Sequence, residues 1–181
     1  MCGIAGIAGW KAAPDLQADI ARMTEPIRHR GPDDFGIWCD GAAGVGLGQR
    51  RLSIIDLSEH GHQPMASVNG RWMLSYNGEI YNFDLLRDEL QAAGKAPPWR
   101  GRSDTEVLLA CIVAWGVEAT LKKLIGMFSI ALWDREERTL TFARDRIGEK
   151  PLYYGIVGGR VYFASELKAI VAAAGPLEID R

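Results

Sequence analysis

A cysteine at the second position of a chain can do chemistry that a cysteine elsewhere cannot. Met1 is removed from chains whose next residue is small, and Cys2 qualifies. The chain would then begin with a thiol and its own α-amine on one residue. The amine has a reference pKa of about 7.7–8.0 and the thiol about 8.5. A base that titrates near neutral pH beside a thiol is what general-base activation of a nucleophile requires, and no histidine is needed. The small residues Gly3-Ile4-Ala5-Gly6 would keep that end thin enough for other groups to approach it. Cys2 alone is equally an accident of position. If Met1 is retained, the α-amine of Cys2 is absent and the mechanism fails.

Other reactive-looking residues read more plainly. Cys39 and Cys111, far from Cys2 and from each other, suit neither a disulfide framework nor a zinc site, and read as small buried hydrophobes. Glu59-His60-Gly61-His62 resembles a metal tract, but two histidines at i, i+2 with no third ligand read as a loop. His29, inside Arg28-His29-Arg30-Gly31-Pro32-Asp33, reads as a residue that fixes this loop rather than as an acid or base. Asn77-Gly78, alone, is the commonest hairpin dipeptide and reads as a turn.

These residues sit in an ordinary globular chain. Its 181 residues suit about one domain, and 48% hydrophobic with 24% charged content excludes a disordered tail or a fibre. A net charge of −2 without a basic block gives nucleic-acid binding no electrostatic footing. The six tryptophans are scattered and form no base-stacking platform. The longest apolar run, about Val107 to Trp115, falls short of the ~20 residues of a membrane span. No secretory signal is visible, so a reducing cytoplasm is expected.

Periodicity places the elements. Gly3 to Gly9 reads as a buried strand, and Asp15 to about Arg28 as a helix weakened by Pro26. Phe35–Cys39, Val45–Ile55 and Arg71–Asn77 read as strands. Phe83 to Ala93 reads as a helix with Asn82 as N-cap and Gly94 as its stop. Ser103-Asp104-Thr105-Glu106 fits a capping box for a helix through Trp115, and a short helix follows around Glu118–Leu124. Met127–Asp134, Thr139–Arg144, Leu152–Ile156 and Arg160–Phe163 read as strands, and Ser165–Ala174 as a helix capped by Ser165. Hairpins outnumber strand–helix–strand alternations. That predicts an α+β layered fold with mostly antiparallel sheets.

The motifs in series add what no single one carries. Cys2-Gly3-Ile4-Ala5-Gly6, Arg28-His29-Arg30-Gly31-Pro32-Asp33, Arg51-Leu52-Ser53-Ile54-Ile55-Asp56 and Tyr76-Asn77-Gly78-Glu79-Ile80-Tyr81-Asn82 stand in order. They are followed by Ser103-Asp104-Thr105-Glu106, Gly126-Met127-Phe128, Arg144-Asp145-Arg146 with Lys150-Pro151-Leu152-Tyr153-Tyr154, and Ala164-Ser165-Glu166-Leu167-Lys168. In this order the chain resembles, over essentially its whole length, the glutaminase domain of glutamine-hydrolysing asparagine synthetases. That domain is a class II glutamine amidotransferase and an N-terminal-nucleophile hydrolase. The resemblance implies a four-layer αββα sandwich with two mostly antiparallel sheets.

It also implies roles. Cys2 would attack the side-chain amide of L-glutamine and form a γ-glutamyl thioester that water hydrolyses. The Asn77 side-chain amide and the Gly78 N–H would hold the oxyanion. Arg51 would grip the α-carboxylate with its planar fork, and Asp104 would pair with the α-ammonium. Glu79 would contribute nearby, and the backbone around Ile54 and Ile55 would line the pocket. Asp104 equally suits dipole compensation in the first turn of its helix. Arg50 reads as a solvated or structural neighbour of Arg51.

The resemblance further implies that residues 1–181 are the N-terminal part of a longer protein. Its partner would be a C-terminal synthetase domain that receives ammonia through a tunnel and amidates aspartate. The domain itself is expected to need no cofactor and no metal; ATP and magnesium belong to the synthetase domain, whose Ser-Gly-Gly-x-Asp-Ser loop is not in this sequence. A stand-alone glutaminase, another acceptor (a sugar or another carboxylate) and a non-catalytic domain are the alternatives. A homodimer is left open.

Overall fold

A computed structural model describes residues 1–9, 15–54, 56 and 58–177. The chain divides into two compact units, Met1–Leu52 with Pro151–Arg181, and Ser53–Lys150.

The first unit is built on a five-stranded antiparallel sheet. Its strands are β1 (Gly3–Ala8), β2 (Asp34–Asp40), β3 (Val45–Arg51), β8 (Tyr153–Val157) and β9 (Arg160–Ala164), in the order β2-β3-β1-β9-β8. Helices α1 (Leu16–Thr24) and α5 (Leu167–Ala174) cover one face. Their core holds Ala5, Ile7, Leu16, Ile20, Met23, Ile27, Ala164, Ala169 and Ile170. The small residues of the sheet are dictated by this packing. A side chain at Gly46 would run into Leu16 and Ile20, and one at Gly48 into Ile20 and Thr24, so both let α1 lie against β3. Arg50 shares that face. It donates to the Thr24 carbonyl at 3.1 Å, pairs with Glu25 at 2.6 Å and stacks over Phe35. It is the structural neighbour that the sequence suggests. By alternation, Val45, Leu47, Gln49 and Arg51 face away from the helices.

The second unit carries β4 (Met65–Ala66), β5 (Trp72–Ile80), β6 (Gly126–Asp134) and β7 (Thr139–Arg144), antiparallel in chain order. Helices α2 (Phe83–Ala92), α3 (Asp104–Trp115) and α4 (Val117–Lys123) connect β5 to β6. Leu74, Tyr76 and Ile80 of β5, with Phe128, Ile130 and Leu132 of β6, join Val107, Leu108, Cys111 and Ile112 of α3 in one core. Met73, Ser75, Asn77 and Glu79 alternate onto the other face of β5.

The α+β class with two antiparallel sheets is therefore the one expected. Several local expectations differ from the structure, most of the side-chain ones through a contact distant in sequence. β3 ends at Arg51 instead of running to Ile55, and α1 gives way to a 3₁₀ turn over Glu25–Arg30. β5 runs on past Asn77 to Ile80, so Asn77-Gly78, which only in isolation reads as a turn, lies inside the strand, paired with Ser129 and Phe128 of β6. Asn82 precedes α2 but does not cap it; its side chain donates to Lys123 O at 3.0 Å and accepts from Ile125 N at 2.9 Å. Ser103 does cap α3, accepting from Glu106 N at 3.3 Å, while the Glu106 carboxylate accepts from Arg100 N and Gly101 N rather than completing a capping box. Ser165 is not the cap of α5. Its hydroxyl accepts from Ile4 N at 3.0 Å and so pins the start of β1.

Arg30 supplies the second pin. Its Nε donates to the Cys2 carbonyl at 2.9 Å and its Nη1 to Glu166 Oε1 at 3.0 Å. Glu166 also meets His29 and Lys168, each at 2.9 Å. Burial pushes the Glu166 carboxyl up, but hydrogen bonds from Lys168, Arg30 and His29 outweigh it and hold the group at about 2.

Two outcomes follow. Ser165→Ala leaves the buried Ile4 N–H unsatisfied and is expected to cost about 1–3 kcal/mol in chemical denaturation. Glu166 has an ordinary value of 4.5 and a folded value of about 2. A depressed carboxyl contributes stability that is present above its unfolded value and lost as pH falls through the folded one. Glu166→Gln should therefore be less stable than wild type at pH 6, and the gap should close between pH 4.5 and about 2; a gap independent of pH would remove the charge from the pin.

Candidate functional site

Cys2 stands at the head of β1, half-buried, its carbonyl fixed by Arg30. Its Sγ accepts from Leu52 N at 3.4 Å and lies 3.7 Å from Leu52 O, toward which its S–H is directed. The thiol is thus seated against backbone polar groups immediately after Arg51. Arg51 ends β3 with 8% exposure. Its carbonyl accepts from Asp33 N at 3.1 Å. A side chain at Gly31 would fall on the backbone of Arg50 and Arg51, so the Arg-Gly-Pro-Asp turn packs flat on the end of β3. The first unit thereby brings Cys2, Arg30, Arg51 and Leu52 together. The other two cysteines are poor nucleophiles, because burial pushes the Cys39 thiol up to about 11 and the Cys111 thiol up to about 12.

The second unit assembles the remaining candidates around β5. Asn77 is 1% exposed and its Nδ2 has no hydrogen-bond acceptor among the described residues. A buried amide donor in that condition is uncommon, because it forfeits its hydrogen bonds to water. Gly78 is fixed sterically. A Cβ there would collide with the Met127 carbonyl, the Tyr76 ring and the Phe128 backbone. Glu79 follows, half-buried, opposite Met127.

Asp104 opens α3 and is buried, yet its carboxylate turns to β5. Its Oδ2 accepts from the Tyr76 hydroxyl at 2.7 Å and from Ile80 N at 3.0 Å. Burial raises its pKa, the Ile80 and Tyr76 hydrogen bonds oppose this, and the Glu79 charge adds to it. Tyr76 is itself held, its N–H donating to Gln63 Oε1 at 2.7 Å. Ile54 lies in a loop with its side chain exposed. That loop is tied to the entrance of α3, since Asp56 Oδ2 accepts from Arg102 N at 3.0 Å. Ile55 lies outside the described residues. His60 and His62 are exposed, and no group of three or more His, Cys, Asp or Glu side chains able to hold a metal exists among the described residues. Among the same residues no helix is long and apolar enough to cross a membrane.

Sequence reasoning missed three residues of this arrangement. Arg30 and Tyr76 sit inside motifs it singled out, but without a role. Glu166 lies 136 residues from Arg30, and no local signal could have paired them.

The chain is 42% identical over 184 residues to asparagine synthetase [glutamine-hydrolyzing] 1 of Bacillus subtilis, covering 100% of this chain and 28% of that protein. It is 43% identical over 185 residues to a putative asparagine synthetase [glutamine-hydrolyzing] of Mycobacterium tuberculosis, covering 94% of this chain and again 28% of the relative. The chain thus spans under a third of the length of these curated relatives. The glutamine phosphoribosylpyrophosphate amidotransferase of B. subtilis, solved with ADP and GMP, superposes with a TM-score of 0.78 at 22% identity, over 95% of this chain and 43% of that one. That likeness shows the fold. The glutamine amidotransferase domain family matches residues 1–181, and the chain belongs to that family.

Proposed function

We propose that this chain hydrolyses L-glutamine to glutamate and ammonia, with Cys2 as the nucleophile once Met1 has been removed. The observation that carries the reading is the Asn77 amide, a fully buried donor without an acceptor in the middle of a strand. Folding gains nothing from such a donor, whereas a developing oxyanion gains a preorganised hydrogen bond.

The α-amine of Cys2 takes the thiol proton, and Sγ attacks the γ-amide carbon of glutamine. The oxyanion is held by Asn77 Nδ2–H and Gly78 N–H; glycine at 78 leaves that N–H open to close approach. The amine returns the proton to the leaving nitrogen, and ammonia departs. Water attacks the resulting γ-glutamyl thioester, the C–S bond breaks, and glutamate and the thiol are released. Arg51 binds the α-carboxylate as a bidentate fork. Asp104, held by Tyr76 and Ile80, pairs with the α-ammonium, with Glu79 adding negative charge. The backbone around Ile54 and Ile55 lines the pocket. Met1 is exposed, which suits its removal. No cofactor or metal is needed for this half-reaction.

The acceptor is read from the relatives. Identity above 40% to proteins named asparagine synthetase [glutamine-hydrolyzing], across about 28% of their length, supports ammonia delivery to a C-terminal synthetase domain; the resemblance to those enzymes adds a tunnel as its route. That domain would use ATP and magnesium to amidate aspartate. The cytoplasm is the compartment consistent with this biosynthetic role.

The test is intact mass with and without a glutamine-mimicking diazoketone, alongside glutamate release. Loss of Met1 and one adduct on Cys2 are expected; retained Met1 with no adduct overturns the reading. Cys2→Ala should lower glutamate release to background with the fold intact. Asn77→Ala should lower kcat by about 10²–10³ with little change in KM, as loss of an oxyanion donor does. A change confined to KM would argue for ground-state binding instead.

A further inference from the structure

Gln49 is fully buried on β3, and neither its amide nitrogen nor its carbonyl oxygen has a hydrogen-bond partner among the described residues. Its rung offers none. In register it lies between Ile4 of β1, which is apolar, and Gly36 of β2, which has no side chain. Its neighbours on the same face of β3 are Leu47 and Arg51. Arg51 is next to Leu52, whose backbone seats the Cys2 thiol. Gln49 therefore stands one rung, roughly 7 Å of strand, from the arginine proposed to hold glutamine. Buried amides are satisfied in the large majority of folded proteins, so one with both ends idle marks a place where something else binds.

We infer that the Gln49 amide seats one small neutral molecule that both donates and accepts hydrogen bonds, water or ammonia, beside the nucleophile. The carbonyl accepts from an N–H or O–H, and the amide nitrogen donates to a lone pair. An ammonium ion does not fit, because the rung gives it no counter-charge for the solvation it would lose. The inference rests on the proposed glutaminase chemistry, in which water enters and ammonia leaves at Cys2. Two attacks on the thioester carbonyl can then depend on Gln49. Water breaks the C–S bond and gives glutamate and the thiol. Ammonia breaks the same bond, re-forms glutamine and returns a proton to the thiol.

The experiment compares wild type with Gln49→Met, which keeps the length of the side chain and removes its hydrogen bonding. Each is incubated with glutamine and ¹⁵N-ammonium; glutamate release and [¹⁵N]glutamine formation are measured with Cys2 labelling by the diazoketone and thermal melting. Expected are a loss of fivefold or more in one product, KM and labelling within twofold of wild type, and a melting temperature unchanged or raised. Loss confined to glutamate identifies water as the occupant; loss confined to [¹⁵N]glutamine identifies ammonia. Both products unchanged, both lowered together with slower labelling, or a melting temperature several degrees down would each overturn the inference, the last by showing a satisfied structural amide. Wild type that releases no glutamate overturns the proposed function itself, before any Gln49 variant is compared.

Discussion

The first unit depends on holding a chain terminus in the middle of a sheet. Terminal residues ordinarily fray, because nothing on one side holds them. β1 escapes this by pairing along both edges, with β3 and with β9. Where the sheet is tightest the strand admits no side chain at all. A Cβ at Gly6 would collide with the Phe163 ring and the Gly46 carbonyl, so glycine is a steric requirement there. The same composition weakens the strand, since each glycine costs about 0.5–1 kcal/mol relative to alanine in a strand interior. The deficit is met where the strand begins, by Ser165 on the Ile4 N–H and Arg30 on the Cys2 carbonyl. What fixes the terminus is also what fixes the thiol.

Arginine at position 30 follows from geometry. Its guanidinium reaches a backbone carbonyl through Nε and a carboxylate through Nη1, two acceptors on different segments held at a fixed angle. A lysine has one nitrogen on a flexible stem and cannot hold both in one plane. Glu166 completes the device because it gathers Arg30, His29 and Lys168 around one carboxylate. The turn that carries Arg30 is itself pressed against β3, since Gly31 alone permits contact with the backbone of Arg50 and Arg51.

Local patterns were legible wherever the cause was local. Thr139–Arg144 was read to the residue, and Ser103 caps α3 as its spacing suggests. Residues whose composition alone misleads share a cause. Asn77-Gly78 has the composition of a hairpin turn, but pairing with Ser129 and Phe128 keeps the strand extended. Ser165 and Asn82 have the composition of helix caps, yet their side chains bond Ile4 and the segment before β6. Propensity ranks what a residue can do, and tertiary partners choose among those options. The roles proposed for the candidate site come only from the motifs in series. Nothing local distinguishes Asp104, aimed at Tyr76 and Ile80, from an acid serving its helix dipole.

Each buried carboxylate has partners, whereas the buried atoms without one, apart from Nη2 of the otherwise bonded Arg30, belong to neutral groups. Asp145 accepts from Phe128 N, Glu149 N and Lys150 N; Asp134 is paired with Arg71; Asp104 has Tyr76 and Ile80. The groups left idle include the neutral ones Asn77, Gln49 and Ser129. A buried charge without partners costs far more than a buried amide, so a fold can leave only the latter waiting. An oxyanion donor must wait, because it is needed in the transition state and a ground-state partner would compete for it. A neutral amide suits that task better than a cation. It tolerates idleness, does not titrate, and is not drawn into a pair with a neighbouring carboxylate such as Glu79. If the proposed glutaminase chemistry holds, the idle amides Asn77 and Gln49, more than the satisfied acids, are where this chain would meet its reactants.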